Sequence, residues 1–166
     1  MADIFVFGDS IGVGAWDEQG GWVDRVKQNL MQRKLGNPEN SATELYNLSI
    51  DGDTSGDVSK RIYQELLSRR KPWSTNEDVV LVAIGTNDVY AVDTPDNFPY
   101  SPQDYVENLS TIFDSVNSLG LRIAFQSLDP VDEQRTMPCS WGPYYWSNER
   151  VRIFNNSLKD FCEKRD

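Results

Sequence analysis

The sequence predicts an α/β fold in which a parallel sheet lies between layers of helices. Three observations carry this. Short apolar runs alternate along the chain with segments whose apolar residues recur every third or fourth position. The strongest run, residues 79–84, is unbroken and rich in β-branched side chains, as suits a parallel strand covered on both faces. The segments after the runs are rich in Gly, Asn and Asp, and parallel sheets bind ligands at that end of their strands.

The elements follow in order. Residues 3–7 are a first strand, and 8–20 a glycine-rich loop. Trp22, Val26 and Leu30 set a helix that ends near Gly36, and 45–50 is a second strand. Val58, Ile62 and Leu66 repeat the helical spacing, with Pro72 beyond the end. After the third strand (79–84), Ser101-Pro102-Gln103-Asp104 is a helix start: a cap, a proline at the first position and an acid in the first turn. Tyr105, Leu109, Ile112, Phe113 and Val116 form that helix's apolar face, and Gly120 stops it. Residues 121–127 are a fourth strand and 128–146 a loop rich in Pro, Trp and Tyr. A last helix runs from Ser147, with Val151, Phe154, Leu158, Phe161 and Cys162 on one face. This βαβαβαβα order, without repeat or linker, predicts right-handed crossovers in one domain, 1–166.

Composition narrows the function classes. A chain of 166 residues can bury a full core. Its net charge of −10 repels phosphate backbones, so nucleic acid and anionic membranes are poor partners. No apolar run is long enough for a membrane span, and no basic, then apolar leader opens the chain. The two cysteines, Cys139 and Cys162, have no metal-ligand spacing, and a reduced, cytoplasmic setting is expected. The chain contains no histidine, which removes the usual general base and the commonest zinc ligand.

Three loops carry candidate chemistry. Gly8-Asp9-Ser10-Ile11-Gly12-Val13-Gly14 follows the first strand. It lacks the lysine of a P-loop, and Asp17 stands where a dinucleotide fingerprint needs its third glycine. Gly8-x-Ser10-x-Gly12 matches a nucleophile elbow formally but comes too early in the chain for that fold. In Gly85-Thr86-Asn87-Asp88, after the third strand, the Asn87 amide is placed to bind an oxyanion; the same residues also suit an ordinary turn. After the second strand, Asp51-Gly52-Asp53 supports two readings. Asp51 as nucleophile and Asp53 as acid/base around magnesium would make an aspartyl phosphatase. The Gly52 N–H as a second oxyanion donor would make an acyl-transfer site.

Together, Gly8-Asp9-Ser10, the Gly52 loop and Gly85-Thr86-Asn87-Asp88, in this order on successive strand tips, resemble the first three blocks of the SGNH, or GDSL, hydrolases. Gly21-Trp22 at the start of the first helix fits the same pattern. The resemblance covers the whole chain. It implies a three-layer α/β/α sandwich with a flavodoxin-like parallel sheet, and cleavage of a small-molecule ester through a Ser10 acyl-enzyme. It implies an oxyanion hole from the Ser10 and Gly52 N–H groups and the Asn87 side chain, and no cofactor. Asp9, Trp16, Asp88, Pro130, Tyr144 and Tyr145 are the expected substrate contacts; the aromatic loop that ends at Trp146 is the expected pocket wall.

The fourth block of the family, Asp-x-x-His after a fifth strand, has no counterpart before the sequence stops at Asp166. The expectation is that a last strand and helix, about 30 residues, are missing through truncation or natural loss. Activity should then be impaired, or the scaffold should serve as a non-catalytic binding module. The fourth strand should be a bare edge that self-associates or takes up a separate C-terminal segment.

Overall fold

The structure is a computed structural model that describes residues 2–37, 39, 43–71 and 77–165. Pro72, expected beyond a helix end, lies outside the described residues. Four parallel strands form the main sheet in the order β2-β1-β3-β5: β1 Ile4–Gly8, β2 Leu45–Asn47, β3 Val79–Ala83 and β5 Arg122–Phe125. The flanking helices are α2 Gly21–Gly36, α3 Ser55–Arg69, α4 Pro102–Ser118 and α6 Asn148–Glu163. The predicted α/β sandwich is thus present, with its strands and long helices in the predicted order.

The caps behave as their residue types require. Ser101 and Asp104 form a reciprocal capping box ahead of Pro102, Thr54 and Asp57 form another at α3, and Ser147 caps α6. The apolar stripes then dock. Phe5, Phe7, Val80 and Val82 share one core with Val58 and Ile62 of α3 and Ile112 and Val116 of α4. Leu109 of α4 in turn meets Phe154 and Phe161 of α6.

The opposite face of the sheet is less covered. There Val6 meets Val23 of α2, with Leu81 only partly buried beside them. Val79, Leu81 and Ala83 alternate with the buried Val80 and Val82 as half-buried positions. Cover on both faces was the expectation for this strand; one face carries α3 and α4, while among the described helices only α2 packs on the other.

Three local features depart from the sequence reading. A four-residue helix, α1 Ser10–Val13, stands within the glycine-rich loop. Strand β2 ends at Asn47 rather than at residue 50. Asn47 turns its side chain onto its own chain: it accepts from Ser49 N–H at 3.2 Å and donates to the Gly12 carbonyl at 2.8 Å. The long aromatic loop contains a short helix, α5 Glu133–Thr136, and β6 Tyr144–Tyr145, which pairs antiparallel with β4 Ala91–Val92. Among the described residues, no helix is long and apolar enough to cross a membrane.

Candidate active site

The carboxyl ends of β1, β2 and β3 each deliver one of the predicted groups. At the end of β1, Asp9 caps α1 by accepting from Ile11 N–H at 2.9 Å. Ser10 is therefore the first helical residue, and its N–H is among those an α-helix leaves without an internal acceptor. Helix α1 packs so closely on the segment after β2 that a Cβ on Gly12 would collide with the Ser49 hydroxyl.

After β2 the chain makes a tight turn from Ile50 to Asp53, closed by Asp53 N–H to Ile50 C=O at 3.2 Å. Gly52 is its third residue, with φ of 79°. A left-handed third residue without a left-handed second one defines a type II turn, which selects glycine. A Cβ there would meet nothing within 4 Å, so the backbone angle and not crowding demands glycine.

After β3 the turn from Gly85 to Asp88, closed at 2.9 Å, presents Thr86 and Asn87 at its tip. The Asn87 amide donates to the Asp53 carbonyl at 2.9 Å. One amide hydrogen is so engaged, which leaves the second for another acceptor. Trp146 fixes the other side of this turn, donating its indole N–H to the Thr86 carbonyl at 2.7 Å.

Ser10, Gly52, Thr86 and Asn87 line one side of a cavity of about 350 Å³. Val131, Thr136, Cys139, Trp141 and Trp146 line the other. None of these side chains is charged. The cavity thus joins hydrogen-bonding groups to an aromatic wall, a combination that suits an uncharged ester with an apolar portion.

Several predicted contacts lie elsewhere. Asp9 and Asp88 are each only 1% exposed and do not reach the cavity. Asp88 instead binds the start of α3, accepting from Ser55 N–H at 2.9 Å and from its hydroxyl at 2.5 Å; Asn108 of α4 donates to the same hydroxyl. Burial pushes the Asp88 carboxyl up to about 6, against the lowering effect of the Ser55 bonds. Burial also raises Asp9, only partly offset by the Ile11 N–H. Trp16, with φ of 64°, projects fully into solvent, and Pro130 is exposed outside the cavity lining. Tyr144 and Tyr145 also fall outside it: pairing with β4 holds them back, and Tyr144 packs against Tyr90 and Trp146 with centroids 5.6 and 6.1 Å away.

Asp51 is exposed, and the Asp53 carboxylate is bound by Arg61 at 2.6 and 2.9 Å. The Asp53 carboxylate thus already has a cationic partner in Arg61, an arrangement that the magnesium-dependent phosphatase reading does not provide for. Val131, Thr136, Cys139, Trp141 and Trp146 all lie in the loop expected as the pocket wall, although Thr136, Cys139 and Trp141 were not singled out within it. The unusual density of aromatics in residues 141–146 was the available signal.

The sequence pattern of the GDSL-like Lipase/Acylhydrolase family matches residues 6–166. No curated protein matches the chain. Solved structures do. A psychrotrophic esterase, EstA, from Pseudoalteromonas sp., inhibited by monoethylphosphonate, is 20% identical; the match covers 99% of this chain and 73% of that one, with a TM-score of 0.64. A lipase/acylhydrolase from Enterococcus faecalis is 22% identical, covering 99% and 72%, at 0.69. An acetyl xylan esterase, AlAXEase, is 16% identical, covering 98% and 73%, at 0.71. These likenesses establish a shared fold, and with the pattern running from β1 to the end of α6 the chain belongs to the GDSL-like lipase/acylhydrolase family.

Proposed function

We propose that this chain carries a serine acyl-ester hydrolase site with Ser10 as nucleophile. The observation that carries the reading is the convergence of Ser10, Gly52 and Asn87, from three strand ends, on one side of an uncharged cavity. In this reading the Ser10 hydroxyl attacks the ester carbonyl. The developing oxyanion accepts from the Ser10 and Gly52 N–H groups and from the free hydrogen of the Asn87 amide. The alcohol leaves, and water releases the acid from Ser10.

The proton of the Ser10 hydroxyl is the difficulty. The chain has no histidine, and among the described residues no carboxylate lines the cavity. Serine proteases that lose a triad member retain roughly 10³–10⁴-fold catalysis over water, from oxyanion stabilisation and binding. Slow turnover of that order is what the 166 residues alone should give. The missing imidazole also favours a second reading: the same cavity as a non-catalytic binding site for a small, largely uncharged molecule. No disulfide joins Cys139 and Cys162, which suits a reducing compartment such as the cytoplasm.

A fluorophosphonate probe with mass spectrometry separates the two readings. Labelling at Ser10, lost in Ser10→Ala together with p-nitrophenyl acetate turnover, supports the hydrolase. Ligand retention by Ser10→Ala with no labelling of the wild type supports the binding site. Turnover should survive EDTA, and Asp51→Asn should leave it unchanged.

A further inference from the structure

We propose that Asp53 and Arg61 form a positioning pair that sets two donors of this site, the Gly52 N–H and the Asn87 amide; the proposal rests on the reading of the cavity as an oxyanion site.

Asp53 makes three distinct contacts. Its N–H closes the type II turn on the Ile50 carbonyl at 3.2 Å, which fixes the peptide plane that carries the Gly52 N–H. Its carbonyl accepts one hydrogen of the Asn87 amide at 2.9 Å, which fixes the direction of the other. Its carboxylate Oδ2 accepts from Arg61 Nε at 2.9 Å and Nη2 at 2.6 Å. Neither side chain lines the cavity, so the pair acts on the site only through the backbone of Asp53.

Arg61 is itself held. Its Nη1 donates to Glu65 Oε1 at 2.7 Å, and its Cζ stands 5.2 Å over the ring of Phe7. Phe7 lies in β1, two residues before Asp9 and three before Ser10. The guanidinium therefore links the strand that carries Ser10 to the turn that carries Gly52, and through Asp53 to Asn87. The side chains of Arg61 and Asp53 are 17% and 12% exposed, so water competes weakly for the bond. Oxyanion donors act only when held in advance at the place where charge develops, and a supporting shell supplies that hold.

Two measurements on the 166-residue protein test this. The first is independent of turnover: the side-chain amide signals of Asn87 and the backbone amide signal of Gly52 in a nitrogen–proton correlation spectrum. In Arg61→Ala both should move, and millimolar guanidinium chloride, but not sodium chloride, should return them toward their wild-type positions. The second is p-nitrophenyl acetate hydrolysis. Arg61→Ala should lower kcat on the order of 10- to 100-fold with little change in KM, and guanidinium should restore part of it. If Arg61→Ala fails to fold, Arg61→Lys takes its place; it keeps the charge without the planar fork, and should show the same split between kcat and KM to a smaller degree. Unmoved Asn87 and Gly52 signals in the folded variant overturn the proposal, as does a change in KM with kcat retained. Turnover that persists in Ser10→Ala would instead overturn the reading of the cavity, while the amide signals would still decide whether Asp53 and Arg61 position these two groups.

Discussion

The Ser55 hydroxyl donates to the Asp88 carboxylate at 2.5 Å, and Asp88 accepts the Ser55 N–H as well. Ser55 is the first residue of α3, so this carboxylate satisfies a backbone donor that the helix cannot. The same contact ties the turn holding Asn87 to α3. It does so at 1% exposure, where a charge is poorly solvated, and this is why the carboxyl sits at about 6.

A pH dependence follows. The folded protein holds the Asp88 proton more tightly than the unfolded chain, whose aspartate has the ordinary value of 3.8. The group's contribution to stability is therefore full below 3.8 and is lost as pH rises through about 6. These two values bound the change at ~3 kcal/mol. Asp88→Asn imitates the protonated acid and removes the dependence. Urea unfolding of both proteins at several pH values should show the wild type losing stability relative to the variant between pH 4 and 6, and a constant difference above. A difference that is flat throughout would mean that Asp88 titrates normally.

Asn87→Ala removes the one side-chain donor aimed at the proposed oxyanion. Loss of such a donor costs about 10²–10³ in kcat. KM should change little, because the bond strengthens as charge develops. Steady-state kinetics with p-nitrophenyl acetate measures both, and near-normal kcat in the variant would take Asn87 out of the mechanism.

The aromatic wall should govern the size of the acyl group accepted. Trp141 and Trp146 line the cavity, whereas Trp16 is turned to solvent. Trp141→Ala should weaken p-nitrophenyl butyrate on the order of tenfold in kcat/KM, and p-nitrophenyl acetate less. Trp16→Ala should leave both substrates as they are. Equal losses on the two esters would place Trp141 outside the acyl contact.

These residues also mark where the sequence is informative and where it is not. Ser101-Pro102 with Asp104, and the run 79–84, are local signals: a cap or a strand is specified by residues adjacent in the chain, and both appear in the structure, whereas how fully the strand is covered depends on distant helices. Ser10, Gly52 and Asn87 were legible because each sits just beyond a strand, and parallel strands in one sheet bring those positions together. The wall was not legible in detail. Tyr144 and Tyr145 are drawn into pairing with Val92 and Ala91, a contact between distant segments that no local pattern encodes. Trp146, next in the chain, is thereby left facing the cavity. Asp9 and Asp88 had the right place but the wrong environment: Asp9 is buried as the cap of α1, and Asp88 against Ser55 at the start of α3, whose hydroxyl also accepts from Asn108 of α4.

One side of β5 is an open edge: among the described strands, β5 pairs only with β3. Along this edge, Ile123 and Phe125 are half-buried, and with Phe113, Phe161 and Arg165 they line a groove of about 220 Å³. The Arg165 guanidinium lies over Phe161, with Cζ 4.1 Å from the ring centroid. An edge that combines unpaired backbone groups with apolar side chains templates pairing with another strand. Negative charge on every copy opposes this, so association should strengthen with salt. Light scattering on the purified protein should show species larger than the monomer, more of them at high ionic strength. Ala124 is exposed on this strand, and a charge there blunts the edge without touching the core. Ala124→Lys should therefore return the protein to a monomer with its unfolding midpoint little changed. A wild type that is monodisperse and monomeric at all salt concentrations would show that the β5 edge is protected as it stands.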